Sequence, residues 1–242
     1  MPQFDGKRAL ITGAGKGIGR ETAILLAEYG AQVVAISRSQ ADLDDLNQLI
    51  GCQTIQADLS IVEDARRSAE EAGEVNFLVN NAGISILQSF FDTTIEAYDL
   101  IMATNVRAVL IVSQVIARKM VAGGAGGAIV NVSSQSSMRV LQDHTTYCTS
   151  KGALDQLTRS MALELGPHNI RVNAVNPTVT LTPMGEMAWS DPAKSAPMMA
   201  RLPLKRFARP RDVAEVIAFL LSDKAHMVHG VTLPIDGGFL IT

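Results

Sequence analysis

Tyr147 and Lys151 stand four residues apart in the run Tyr147-Cys148-Thr149-Ser150-Lys151. At helical spacing this puts a phenol and an ammonium on one face. A nearby ammonium favours the phenolate, so the tyrosine is expected to fall below its usual value of about 10. A phenol tuned in this way gives a proton to a carbonyl oxygen or takes one from an alcohol. By itself the pair also reads as a half-buried tyrosine beside a solvated lysine, and the surrounding elements must decide between the two.

The first of those elements lies at the other end of the chain. Arg8-Ala9-Leu10-Ile11 leads into Thr12-Gly13-Ala14-Gly15-Lys16-Gly17-Ile18-Gly19. A helical pattern follows, with Ile18, Thr22, Leu25, Leu26 and Tyr29 on one side. Val33 to Ile36 then reads as a second strand. Strand, glycine turn, helix and strand make the unit that binds a dinucleotide, with the pyrophosphate at the helix N-terminus. Glycine lets the backbone turn tightly and come close to the phosphates. The spacing is Gly-x-x-x-Gly-x-Gly, and Gly17 after Lys16 excludes a phosphate-binding Gly-Lys-Ser/Thr loop.

Strand and helix patterns alternate along the whole chain, which predicts a parallel sheet of about seven strands with helices on both faces. Further helices are expected at Ala41 to Ile50, Val62 to Glu71, Ala153 to Leu165 and Arg211 to Leu221. Ile95 to Met120 reads as helical with a break near Asn105. Strands are expected at Gln53 to Gln56, Phe77 to Val79, Ala128 to Val132, Arg171 to Val175 and Val231 to Ile235. Gly123 to Gly127 reads as a turn. Residues 178–209 carry several prolines and read as an irregular flap with at most short helices. No repeat and no second domain is apparent, and 242 residues suit one α/β domain.

Composition narrows the function classes. Apolar residues make up 47% of the chain, enough for a sizeable core, and the formal charge is −3 with no basic block. That balance argues against nucleic acid or anionic membrane as a partner. No uninterrupted apolar run is expected to span a bilayer, and Met1 to Asp5 shows no basic and apolar leader. Two cysteines, Cys52 and Cys148, without metal-ligand spacing, point to a reduced, cytoplasmic protein.

The ordered motifs together resemble the short-chain dehydrogenases/reductases over about Lys7 to Phe239. The stretches that carry the likeness are Thr12 to Gly19, Asn80-Asn81-Ala82-Gly83, Asn105, Val132-Ser133-Ser134, Tyr147 to Lys151 and Asn176-Pro177. The family normally has Pro-Gly where this chain has Pro177-Thr178. The resemblance implies a single doubly wound Rossmann-type domain and an oxidoreductase that moves hydride to or from a nicotinamide. It implies Tyr147 as proton donor, with Lys151 depressing it and holding the nicotinamide ribose. Ser134 would hold the substrate oxygen, with Ser133, Ser136 and Ser137 as local competitors, and Asn105 would help hold a water linked to Lys151. Gly13, Gly15, Gly17, Ile18 and Gly19 would line the phosphates, and Asp58 and Leu59 the adenine. Asn81, Ala82 and Gly83 would follow the adenosine ribose, while Pro177, Val179 and Thr182 would meet the nicotinamide; Asn80 is expected to tie strands together. No metal is needed, because the cofactor carries the hydride.

Charge points to the cofactor. The second strand ends in Ile36-Ser37-Arg38-Ser39, without the acid that accepts from a free ribose. Arg38 suits a 2′-phosphate, and Lys16 adds a second cation, so NADP(H) is expected. Within the family, His144 before Tyr147, Met184-Gly185 and Trp189-Ser190-Asp191-Pro192 are similar to the branch that reduces small α-dicarbonyls and short ketoses such as L-xylulose with NADPH. Gln135, Leu141, His144 and Trp189 are then candidates for the substrate wall, although Trp189 also reads as flap packing and His144 as a surface histidine. Other readings stay open: a reductase of 3-oxoacyl thioesters or steroid ketones, or a non-catalytic nucleotide-binding protein on the same fold. Val106, Val109, Leu110, Ile111, Val112, Val115 and Ile116 exceed one buried stripe, and the resemblance implies a homotetramer built from such helix faces.

Overall fold

The computed structural model describes residues 4–242; Met1 to Gln3, part of the segment read as lacking a leader, lie outside them. Seven strands form one sheet: β1 (Arg8–Thr12), β2 (Gln32–Ser37), β3 (Gln53–Gln56), β4 (Phe77–Asn80), β5 (Gly127–Val132), β6 (Ile170–Pro177) and β7 (Thr232–Ile235). They lie in the order β3-β2-β1-β4-β5-β6-β7, and every pair is parallel. The order reverses between β1 and β4, which opens a crevice at the C-terminal ends of the strands.

The strands are apolar almost throughout because both faces are covered. Ala9, Ile11, Val33, Ala35, Val130 and Val132 face one buried cluster, with α1 (Gly17–Glu28), α2 (Gln40–Ile50) and α9 (Pro210–Leu221). Leu10, Val34, Ile36, Leu78 and Ile129 alternate to the other cluster, with α3 (Val62–Glu71), α5 (Ala108–Gly123) and α6 (Thr145–Leu165). A third, smaller cluster of Val179, Met198, Leu202, Phe207 and Phe239 sits under the flap. The flap itself holds two short helices, α7 (Pro183–Ala188) and α8 (Pro192–Ala200).

Two details differ from the expectation in ways that matter. The break near Asn105 is not a gap but a π-helical turn, Ala103–Arg107, joining α4 (Ile95–Met102) to α5. Ile95–Gly123 is therefore one continuous helix, long and apolar enough by length and composition to cross a bilayer, although Glu96, Asp99, Arg107, Arg118 and Lys119 interrupt it, so no uninterrupted apolar run of that length arises. Its most apolar stretch is 56% buried in the protein, as in the core helix of a globular fold. Finally, β6 extends past Val175, because Asn176 and Pro177 pair with Pro234 and Ile235 on β7. Polar and proline residues at a strand end read as loop in sequence, yet that extension carries Asn176 into the centre of the molecule. Gly123 to Gly127 is a turn as expected, with Gly124 capping α5 in the left-handed region.

Candidate active site

A cleft of about 870 Å³ runs across the C-terminal ends of the strands. At one end lies the glycine turn. Gly13 and Gly17 have φ of +65° and +58°, conformations that favour glycine. Space is equally restrictive: a Cβ on Gly13 would stand 2.8 Å from Ala82 Cα, and one on Gly19 2.4 Å from the Gly13 carbonyl oxygen. Thr12, which the sequence reading used only to start the motif, braces this turn. Its hydroxyl accepts from the backbone N–H groups of Asn81 and Ala82 at 3.0 and 3.1 Å. The Asn81 amide returns two bonds to the Thr12 and Gly13 carbonyls. The N-cap residue of α1, Lys16, makes no side-chain cap, so among the described residues the first N–H groups stay available to an anion. A glycine-lined cradle at a free helix N-terminus fits a dinucleotide pyrophosphate.

Beyond the turn, Ser37, Arg38, Asp58 and Leu59 line the cleft as expected. The Arg38 side chain is exposed and makes no hydrogen bond among the described residues, while its carbonyl accepts from Gln56. Lys16 is placed differently from the expectation. Its Nζ lies 3.3 Å from Asp42 Oδ2, so an acid absent from the end of β2 enters from α2 and pairs with the cation. Asp42 was legible only as a helix-start residue, since its N–H donates to the N-cap Ser39 hydroxyl.

At the other end, Ser134, Tyr147 and Lys151 share one wall. Ser134 is 8% exposed at the start of a single 3-10 turn, where its hydroxyl accepts from Ser136 N–H at 3.1 Å. Each competitor has a partner elsewhere: the Ser133 hydroxyl donates to the Lys151 carbonyl, that of Ser137 to the Ser134 carbonyl, and that of Ser136, which also lines the cleft, accepts from the Gln135 amide at 3.3 Å. Lys151 is buried, its Nζ donating to the Val132 carbonyl at 2.8 Å and lying 5.6 Å from the centre of the Tyr147 ring. Burial pulls its pKa down to about 8, with Asp155 resisting. Burial also pushes the Tyr147 phenol up, while the neighbouring Ser134 hydroxyl pulls it down. The expected depression of Tyr147 by Lys151 is thus not present in this arrangement, because burial of the phenol outweighs the pull of the Ser134 hydroxyl.

Asn105 does not reach the cleft wall. It is fully buried in the π-turn, accepting from Ile84 N–H at 2.9 Å and donating to the Ile84 carbonyl and the Ser150 hydroxyl at 3.0 Å each. A Cβ on Gly83 would fall 3.3 Å from Asn105 Oδ1 and 3.6 Å from Lys151 Nζ, so glycine leaves open the space between them. Gly15 and Gly19 also lie behind the wall, both buried. Asn80 ties strands as expected, bonding Asn131 and Ser113.

Gln135, Leu141, His144 and Trp189 all line the same cleft, as do Ile18, Ala82, Gly83, Pro177 and Val179. Gln135 is 2% exposed, and its Oε1 has no partner among the described residues. His144 Nδ1 donates to the Gln142 carbonyl at 2.6 Å, leaving Nε2 to accept. Trp189 serves both of its readings, lining the cleft and packing on Phe207 with ring centres 6.3 Å apart. Thr182 caps α7 through Gly185 N–H, and its methyl group closes over Gly17. Thr178, where the family has glycine, is buried and lies outside the positive-φ region, so the backbone needs no glycine there.

A dinucleotide cradle joined to a serine, tyrosine and lysine wall defines a nicotinamide-dependent oxidoreductase. Comparison with known proteins agrees. A family model described as enoyl-(acyl carrier protein) reductase matches residues 13–240. The L-xylulose reductase of Mesocricetus auratus is 55% identical over 238 residues, 98% of either chain. Carbonyl reductase [NADPH] 2 of Sus scrofa is 46% identical over 238 residues, again 98% of each. Among solved structures, a candidate NAD(P)-dependent gluconate 5-dehydrogenase from Beutenbergia cavernae with bound NADP superposes with a TM-score of 0.95, at 33% identity and covering 99% of both chains. This chain belongs to the short-chain dehydrogenase/reductase family.

Proposed function

We propose that this protein is an NADPH-dependent carbonyl reductase acting on small α-dicarbonyls and short ketoses such as L-xylulose. The observation that carries the reading is the meeting of Ser134, Tyr147 and Lys151 in one cleft with a glycine cradle and an unengaged Arg38. The names of the mammalian relatives support the substrate class.

The cofactor supplies the hydride. Ser134 Oγ holds the carbonyl oxygen, and the Tyr147 phenol, kept protonated by its burial, gives that oxygen a proton as negative charge develops. Lys151 places a positive charge below the tyrosine ring, and Asn105 fixes the loop after β4 so that Gly83 leaves room beside that charge. Arg38 selects the 2′-phosphate. Gln135 and His144 offer acceptors to substrate hydroxyls, with Leu141 and Trp189 as the apolar wall. The whole chain acts as one cofactor-binding unit, and residues 178–209 form the flap over the substrate. Cys52 and Cys148, buried and unpaired, suit a cytoplasmic setting.

The test is NADPH consumption with diacetyl, L-xylulose, an acetoacetyl thioester and a steroid ketone. Turnover of the first two above the others is expected. Preference for the thioester or the steroid would overturn the substrate assignment.

A further inference from the structure

Tyr147, Lys151 and Asp155 follow one another at four-residue steps along α6, one turn apart on a single face. The third member takes no part in the mechanism above, yet it is a carboxylate only 4% exposed. Its one hydrogen-bond donor among the described residues is Asn176, itself fully buried. The Asn176 amide nitrogen stands 3.2 and 3.0 Å from the two carboxylate oxygens, 3.1 Å from the Ser134 carbonyl and 2.9 Å from Ser137 Oγ. Two hydrogens therefore serve four acceptors, and the amide binds α6 to the turn that carries Ser134.

A buried carboxylate with one shared donor is costly unless an opposite charge stands near. Lys151, equally buried one turn away, is that charge. The group bonded to Asp155 is neutral, the amide of Asn176 from β6, and so are the other groups on that amide, the Ser134 carbonyl and the Ser137 hydroxyl from the turn after β5. Tyr147 and Cys148, whose thiol burial pushes up, are the other titratable groups at helical spacing from Lys151 on α6. Glu96 and Asp99 on α4 and Arg107 in the π-turn are exposed. Arg159, a further turn along α6, bonds Gln156 and Thr232 at the surface. Arg171 on β6 is engaged with the carbonyls that end α9.

We propose that Asp155 is a positioning residue of this site: held by Asn176, its carboxylate keeps Lys151 as an ammonium against the Val132 carbonyl and fixes the backbone that carries Ser134. The proposal rests on the reading of Lys151 as a working cation. Burial lowers Lys151 towards neutrality, and Asp155 is the charge that opposes it. Removing that charge extends the fall.

The test uses the full-length protein, wild type and the variants Asp155→Asn, Asp155→Glu and Asn176→Ser. Lys151 is titrated by NMR of ¹³Cε-labelled lysine, assigned with Lys151→Met, and the pH profile of kcat is recorded at saturating NADPH. In Asp155→Asn the lysine midpoint and the alkaline limb of kcat should both move down by about one pH unit. Asp155→Glu should restore both towards wild type, and Asn176→Ser should shift them in the same direction by less. If Asp155→Asn does not fold, the other two variants decide. Midpoints that stay at the wild-type position in every folded variant, with only stability falling, would reduce Asp155 to a structural role and overturn the proposal. A wild-type protein with no carbonyl reductase activity would instead sink the functional reading, and the NMR titration would still judge Asp155.

Discussion

Tyr147→Phe keeps the ring that packs beside His144 and over Lys151 but removes the acidic hydrogen. Turnover is expected to fall by roughly 10²–10⁴-fold, as for other losses of acid–base catalysis. Binding of NADPH, read by fluorescence, should survive because the glycine cradle is untouched. A phenylalanine variant with near wild-type kcat would mean that the proton comes from another group. Arg38 is expected to carry the proposed cofactor preference more heavily than Lys16, whose charge Asp42 already offsets at 3.3 Å. Wild-type kcat/KM with NADPH should exceed that with NADH at least about tenfold, a difference of 1.4 kcal/mol. Arg38→Asp should bring the two cofactors close together or invert them. Equal values in the wild type would defeat the charge argument.

Elements matter through what they hold still. The flap is irregular in sequence because its prolines break helices, and its placement depends on a residue far away in the chain. Phe239, fully buried, is stacked between the guanidinium groups of Arg139, on the loop after Ser134, and Arg201, at the end of α8, at 5.3 and 4.4 Å from its centre. Both arginines also donate to the Thr242 carbonyl. Phe239→Ala should therefore destabilise the protein by about 3–5 kcal/mol, seen as a lower Tm. It should also raise KM for the carbonyl substrate more than it raises Kd for NADPH, since the flap and the substrate loop meet there. A lowered Tm with unchanged KM would show that Phe239 only fills space.

For the whole molecule, assembly is decided by which apolar surface stays uncovered. Five of the seven residues that made α5 look over-apolar, Val109, Ile111, Val112, Val115 and Ile116, are buried within the chain, while Leu110 remains 40% exposed. Larger exposed apolar groups are Phe90 and Phe91 before α4, Ile95 on it, and Leu163 on α6. Exposed apolar surface that forms one patch marks an interface, and closed two-fold pairing would cover it in a homotetramer. Light scattering coupled to size exclusion should give about four times 25.8 kDa. A mass near that of one chain would refute assembly.

The sequence by itself determined what depends on local order. The glycine turn, the strand and helix alternation and the four-residue step from Tyr147 to Lys151 are short-range patterns, set by backbone sterics and helical pitch. The seven strands and the glycine turn were accordingly legible, and so was an irregularity of the helix at Asn105, which sits in a π-turn behind the cleft wall. Tertiary structure decided whatever arises between segments distant in the chain. Asp42 reaches Lys16 only because α2 packs beside the glycine turn. The phenol of Tyr147 rises because the fold takes it out of water, a desolvation that no spacing of residues encodes. Asn176 joins the carboxylate of Asp155 to the carbonyl of Ser134 because β6 runs on past Val175, and that extension exists only once β7 is there to pair with it.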